Sequence, residues 1–353
     1  MKFILLLAIA GLLLWWFGRR LDWAEVSASV RAADWRMLAA AVVLVCITYL
    51  VRALRWRALL APLAQNVGLR ELFAATTVGF GALFLAGRAG EVVRPLFLAF
   101  RERRVDAGAA LVTIAVERIY DMVAVVVLFA INLLVFQAPN SGAAEFARVR
   151  QAGLVLLVGA SFGIAALVWF RQYSHTVIVP LERKFGGADS FIGRVAKTIV
   201  GILKQLAAAL GVLVDKRELA ITIAWTILLW GLIIGANWLV YTAFGLNFGL
   251  GETVFVLGWS LVGSLVPTPG GAAGAFHAAT AGGLMFLGVA ANTAAAVSLI
   301  IHPVLFGPAV FFGLYYFLRS DVRLARLRQL AHAPANEINE GKASASSPQE
   351  AVS

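Results

Sequence analysis

Three charged side chains interrupt a long apolar run of the sequence. Glu117, Arg118 and Asp121 lie within residues 108–136, where a charge that faces lipid at the centre of a spanning helix costs about 2.5–3.5 kcal/mol. Glu117 and Asp121 are four residues apart and share a helix face, and Arg118 is three residues from Asp121 and within its reach. We therefore predict that this cluster faces inward, toward protein or a water-filled cavity.

A second group of charges lies among glycines near residue 90. Arg88, Glu91 and Arg94 are spaced three apart, on one side of a helix, and with the first group they supply three cations and three anions. A compensated network of this kind can be purely structural, because buried charges normally pair. Alternatively, Arg88 or Arg94 holds an anionic phosphate for part of the time, since a guanidinium group suits that ligand.

The second half of the chain contains a helix-breaking sequence and two histidines. The break consists of Pro267, Thr268, Pro269, Gly270 and Gly271. A half-helix starting just after it would direct its positive end at an anion, but a plain tight turn explains the same residues. His277 and His302 are the ionisable groups deep in this half, and each is either a hydrogen-bonded packing residue or a functional group.

The sequence offers no pattern typical of catalysis. The two histidines are 25 residues apart, which is not a metal-ligand spacing, and no glycine-rich phosphate loop follows a strand. Cys46 is the single cysteine, so neither an intrachain disulfide nor a cysteine metal site can form. We therefore predict no catalytic residue, no metal ion and no cofactor.

The elements that position these residues must lie in a membrane. The chain is 61% hydrophobic and only 14% charged, and a soluble core cannot hide that much apolar surface. Apolar runs long enough, or nearly so, to cross a bilayer occur near 3–18, 36–54, 108–136, 152–170, 219–244 and 293–318. Two further apolar regions, 71–100 and 252–289, are interrupted by the breaks described above. We predict an all-α polytopic membrane protein with about six full spans plus two re-entrant helical hairpins; eight spans, two of them short and kinked, are the alternative.

The distribution of arginine and lysine indicates the orientation. The net charge is +11, and the basic residues cluster near 52–70, 101–104, 171–217 and 319–328, which is typical of cytoplasmic loops. We therefore expect a cell (inner or plasma) membrane protein with both termini in the cytoplasm. In this topology the two halves of the chain form an inverted repeat, whose broken helices meet near the midplane. Anionic lipid headgroups explain the basic charge better than nucleic acid does.

Two segments are predicted to lie outside the spans. Between 190 and 214, Arg194, Lys197 and Lys204 fall on one stripe and apolar side chains on another, which predicts an interfacial amphipathic helix on the membrane surface. A soluble linker helix packed on the spans is the alternative. Residues 1–329 then form one transmembrane domain, and 330–353 read as a disordered cytoplasmic tail.

The sequence resembles the lysylphosphatidylglycerol synthase transmembrane region family, also called the flippase-like domain. Three motifs carry the resemblance, in order and spacing: Gly87-Arg88-Ala89-Gly90-Glu91-Val92-Val93-Arg94-Pro95, Glu117-Arg118-Ile119-Tyr120-Asp121 and Pro267-Thr268-Pro269-Gly270-Gly271. The resemblance implies a role in moving or handling a lipid between leaflets. It also implies a polar centre of Arg88, Glu91, Arg94, Glu117, Arg118 and Asp121. Ala275, Phe276 and His277 stand where many members have a glutamate, so the resemblance leaves the charge of the lipid open.

Two hypotheses of function follow. The first is a lipid transporter that accepts an anionic or zwitterionic phospholipid, or a polyprenyl-linked lipid, without catalysing a reaction. Lipid aminoacylation is not expected, because in the family it belongs to a soluble synthase domain. The second is a non-transporting subunit that docks or regulates an enzyme of cell-envelope lipid or glycan assembly through the 190–214 helix.

Overall fold

The computed structural model describes residues 2–61, 64, 66–87, 90–102, 104–136, 143–185, 216–266 and 268–320. Arg88, Pro267, the interfacial helix predicted at 190–214 and the tail predicted at 330–353 lie outside these residues. Throughout the described ranges the regular secondary structure is helical. The predicted all-α membrane class is confirmed.

The described chain folds into helices of very different length. In chain order they are α1 (Lys2–Gly18), α2 (Trp23–Ala32), α3 (Trp35–Leu60), α4 (Leu69–Ala86), α5 (Gly90–Arg101), α6 (Ala107–Val135), α7 (Ala143–Phe185), α8 (Lys216–Ala243), α9 (Leu250–Gly263), α10 (Ala275–Phe286) and α11 (Ala291–Leu318). Asp22 and Asp34 begin α2 and α3, because their carboxylates accept hydrogen bonds from the first free amides of those helices. α7 is kinked at Tyr173, where the backbone leaves the helical region.

Four helices are long and apolar enough to cross a membrane. Their spanning parts are Trp35–Leu60, Ala110–Val135, Leu219–Ala243 and Ala291–Leu318, and they coincide with four of the six spans predicted from the sequence. At the other two positions, shorter apolar stretches lie within longer helices, Ala8–Gly18 in α1 and Gly153–Gly163 in α7. The total number of spans therefore stays a prediction.

The first interrupted region folds into a helical hairpin. α4 and α5 pack antiparallel, and two glycines allow the close approach, since a side chain at Gly79 would collide with Arg94 and one at Gly90 would collide with Leu83. At 1.5 Å per residue α5 is about 18 Å long, well short of the roughly 30 Å of a bilayer core. This length agrees with a hairpin that enters and leaves on one side.

The second interrupted region folds into a similar hairpin of α9 and α10. Ser260 and Thr280 hydrogen-bond across it at 2.8 Å, and Gly263 lies where a Cβ would be 2.7 Å from the Ala275 carbonyl oxygen. Between the two helices, Gly270, Gly271 and Ala272 have φ of 76°, 64° and 63°. These are left-handed conformations, which glycine adopts at little cost. The break is therefore a tight left-handed turn, and the helix resumes only at Ala275.

One contact between the two halves of the chain is that of α11 with α4. At Gly313 a Cβ would lie 2.5 Å from the Thr77 carbonyl oxygen, and at Gly81 it would lie 3.2 Å from the Ala309 carbonyl oxygen. The backbones of α4 and α11 therefore touch without side chains between them, a close packing that small residues permit between helices in membranes. This contact fixes the first hairpin against the second half of the chain.

Candidate functional site

The C-terminal half of α3 contributes two arginines that sequence reasoning missed. Both were counted among the basic residues near 52–70 that are typical of cytoplasmic loops, with the span ending near residue 54, but α3 continues to Leu60. Arg55 is completely buried, and the side chain of Arg52 is only 14% exposed. The two residues are three apart and lie on the helix face that meets α6.

Glu117 is the centre of the buried charges. Its side chain is fully buried, and its Oε1 and Oε2 accept hydrogen bonds from Arg94 Nη1 at 2.8 and 3.0 Å. Arg55 Nη2 lies 3.3 Å and Arg118 Nη2 3.4 Å from Glu117 Oε1. One carboxylate of α6 thus holds guanidinium groups from α3, α5 and its own helix.

Asp121, one turn further along α6, holds a second set of arginines. Arg55 Nη1 donates to Asp121 Oδ1 at 2.7 Å and also to Thr226 Oγ1 on α8 at 3.1 Å. Arg52 Nη1 and Arg118 Nη1 lie 3.9 and 3.8 Å from Asp121 Oδ2. The contact predicted between Arg118 and Asp121 is therefore present, and three helices, α3, α6 and α8, converge on this point.

The charges of this cluster do not balance. The arginine-carboxylate network, as we call it, consists of Arg52, Arg55, Arg94, Arg118, Glu117 and Asp121. It contains four guanidinium groups and two carboxylates, a formal excess of two positive charges, instead of the predicted three and three. Glu91 is half-buried and joins no ion pair among the residues described, because it lies a helical turn nearer the hairpin tip than Arg94.

Several guanidinium donors in the network are unused. Arg94 Nε and Nη2, Arg55 Nε and Arg118 Nε are buried, and none of them donates a hydrogen bond to an acceptor in the part of the chain that the structure describes. Buried donors are normally satisfied, and one left unpaired costs about 1–3 kcal/mol. These donors are therefore open to a further hydrogen-bond acceptor.

Aromatic rings support two of the arginines. Arg94 Cζ lies 4.1 Å from the ring centroid of Trp56, whose Nε1 donates to Thr113 Oγ1 at 2.9 Å. Arg52 Cζ lies 4.7 Å from the ring centroid of Phe80. A guanidinium group over an aromatic face keeps electrostatic stabilisation where water is excluded.

The histidines of the second half lie against each other. The rings of His277 and His302 are 4.6 Å apart between centroids. One nitrogen of each ring is within hydrogen-bond distance of a backbone carbonyl oxygen. The Ser298 oxygen lies 3.0 Å from His277 Nδ1, and the Gly271 oxygen lies 3.1 Å from His302 Nε2. Across the described residues, no three histidine, cysteine or acidic side chains are grouped as a metal ion requires.

The two helix breaks meet at these histidines. His302 contacts the rings of Phe276, Phe306 and Phe84 at centroid distances of 5.0, 5.0 and 5.7 Å, and together with His277 these residues form the aromatic-histidine cluster. Phe84 belongs to the first hairpin, three residues before Gly87, and it also touches Gly271. On α4, Phe84 is four residues from Phe80, so one face of this helix links the cluster to Arg52.

The start of α10 is not the open anion site that a half-helix would provide. At Gly274, immediately before α10, a Cβ would lie 2.6 Å from Leu13 Cβ and 3.2 Å from the Ala10 carbonyl oxygen. α1 therefore covers this helix end. Pro269, Gly270 and Gly271 shape the turn, and they bring a carbonyl group, not an amide, to His302.

Comparison with known proteins gives one family. Residues 3–313 match the family model described as "Lysylphosphatidylglycerol synthase TM region". No curated protein and no solved structure matches the chain. The match covers both hairpins, the arginine-carboxylate network and the aromatic-histidine cluster.

Proposed function

Because the chain belongs to the lysylphosphatidylglycerol synthase transmembrane region family, whose members are membrane proteins tied to lipid handling, we propose that it moves a lipid between leaflets. The lipid carries an anionic or zwitterionic headgroup, and its chains stay in the bilayer. The chain itself catalyses no chemical reaction in this proposal.

The excess of arginine over carboxylate is the observation that supports the proposal. The network's excess of two positive charges, counted over the described residues, lies within membrane helices, where an unpaired charge is costly. A phosphodiester brings one negative charge and a phosphomonoester nearly two, and both present oxygen atoms that guanidinium groups bind well. A lipid phosphate would therefore lower the cost of the network and use its free donors.

Arg118 is the member of the network that a headgroup meets first. Its side chain is 36% exposed, whereas those of Arg55 and Arg94 are 0% and 3% exposed. The buried arginines are held by Glu117, so they supply fixed positive charge behind Arg118. A headgroup that binds Arg118 can then exchange contacts with them without reaching bare hydrocarbon.

Lipid translocation in proteoliposomes tests the proposal. Fluorescent anionic, zwitterionic and polyprenyl-phosphate lipids are scored by the signal lost to an impermeant quencher. We expect the parent protein to translocate at least one of them, and Arg118→Gln to slow it about tenfold, as loss of one charge-assisted contact predicts. Arg104→Gln is the matched control, because Arg104 is 67% exposed and pairs only with Glu102 in the described chain.

Two results would contradict the proposal. Folded parent protein that moves none of the lipids would favour the docking-subunit alternative, whose predicted contact helix at 190–214 lies outside the described residues. Equal transport by the parent and Arg118→Gln would show that the headgroup does not pass the network.

A further inference from the structure

An apolar cavity lies beside the arginine-carboxylate network. It occupies about 410 Å³ between α6, α7 and α9. Its lining consists of valine, leucine, phenylalanine, tryptophan, alanine and glycine residues, with no charged side chain among them. The cavity begins at Val125, about one helical turn beyond Asp121 on α6.

Two glycines shape the cavity wall. A side chain at Gly258 on α9 would collide with the ring of Phe129, and one at Gly153 on α7 would collide with Leu133. These glycines thus give room to two large side chains of α6. The rest of the space between the three helices remains open, so the cavity is bounded by well-placed apolar side chains.

One face of α6 joins the network to the cavity. Arg118, Met122, Val125, Phe129 and Leu133 follow each other at spacings of four, three, four and four residues, which places them on a single stripe of the helix. Arg118 is the partly exposed arginine at one end, and Met122 is 68% exposed beside it. Phe129 lies about 16 Å from Arg118 along the helix axis.

We infer that this cavity binds a hydrocarbon chain of the lipid whose headgroup is held by the arginine-carboxylate network. The inference rests on the proposed function and adds the site for the apolar part of the substrate. The stripe is charged at one end and apolar over the rest, as a lipid is, and the cavity lining begins at Val125, seven residues from Arg118.

The exposed residues that line the cavity indicate that the hydrocarbon chain of the lipid enters from the bilayer. Val262 and Leu265, both in its lining, are 64% and 61% exposed. A hydrocarbon chain gains little from leaving lipid for an apolar cavity in general, because lipid is equally apolar. The anchoring of the headgroup at Arg118 must therefore select which chains occupy it.

Photocrosslinking tests the inference on the full chain in nanodiscs of zwitterionic lipid. The probes are an anionic phospholipid with a diazirine near the end of one acyl chain and a diacylglycerol with the same chain. We expect the anionic probe to label the cavity segments of α6 and α9, as located by mass spectrometry of peptides. Val126→Phe, which fills the cavity, should lower this labelling about tenfold, as overpacking of a cavity predicts.

The matched control is Val127→Phe. Val127 adjoins Val126 on α6, is 44% exposed and does not line the cavity, so this exchange should leave the labelling unchanged. Leu261→Phe fills the cavity from α9 and should act as Val126→Phe does, which guards against a folding defect of one variant. Arg118→Gln should reduce labelling by the anionic probe to the level of diacylglycerol.

The possible results separate the inference from the proposed function. Labelling that is equal for both probes, or that survives both cavity-filling variants, would overturn the inference, as would crosslinks between two copies of the chain through this face. Labelling as expected with no lipid translocation would overturn the proposed transport only. If the parent protein translocates lipid but its cavity is not labelled, only the inference that the cavity binds a hydrocarbon chain would be overturned.

Discussion

Glu117 and Arg118 are adjacent charged residues, and exchange of each to glutamine should affect stability very differently. Glu117→Gln removes the carboxylate that holds Arg94 at 2.8 Å and Arg55 at 3.3 Å. It raises the formal excess of the network from two to three positive charges. Arg118→Gln lowers the same excess to one.

The magnitudes follow from burial. Glu117 is fully buried, and removal of one partner of a buried ion pair costs about 3–5 kcal/mol, because the remaining charge is left uncompensated. The Arg118 side chain is 36% exposed, and exposed pairs contribute at most about 1 kcal/mol. Relief of like-charge repulsion among the other arginines offsets even that, so Arg118→Gln should leave the free energy of unfolding nearly unchanged.

Equilibrium unfolding in mixed micelles measures both values. Each variant is titrated with a denaturing detergent, and helix content reports the folded fraction. Equal destabilisation by the two exchanges would refute the reasoning, because it would show that the surplus of positive charge is not a property of the folded network. A stabilised Arg118→Gln protein that no longer transports lipid would show that the surplus serves binding at the expense of stability.

Three further outcomes are expected. Gly90→Ala should cost about 1–3 kcal/mol by forcing α4 and α5 apart, whereas Gly307→Ala, with nothing within 4 Å of its added Cβ, should not lower the thermal midpoint. Arg55→Lys should cost about 1.5–3 kcal/mol in the same unfolding titration, because one ammonium group cannot reproduce the contacts to both carboxylates and to α8; an unchanged midpoint would contradict the contacts described. For topology, Ala28→Cys should react with an impermeant maleimide in intact cells and Ser320→Cys only after permeabilisation, in a cysteine-free background; the reverse pattern would invert the predicted orientation.

The long helices were predictable because hydropathy measures what the bilayer selects. The apolar run 36–54 located α3, but its end was set at the first arginines, and the structure continues the helix to Leu60. The span α3 carries a buried arginine, Arg55, so charge alone does not mark the end of a span. Arg52 and Arg55 are three residues apart, so they share one helix face. That spacing was the signal available in the sequence.

The contacts between distant segments of the chain were harder to predict from the sequence. Spacing placed Glu91 and Arg94 on one side of a helix, but only the packing of α5 against α6 decides that Arg94, and not Glu91, joins the network. His277 and His302 are separated by 25 residues, and their contact depends on how α10 folds back onto α11. The meeting of the two breaks was expected from the inverted repeat, while the identity of Phe84 as the residue that joins them was not.

The aromatic-histidine cluster has a consequence for the electrical insulation of the membrane. A passage that admits a charged headgroup would also leak protons and small ions if it stayed filled with water. Phe84, Phe276 and Phe306 surround His302 at 5.0 to 5.7 Å, and closely packed aromatic rings exclude water and ions. If the protein moves lipid as proposed, the cluster should keep the bilayer nonconducting, and Phe84→Ala should raise the ion conductance of planar bilayers that contain the protein.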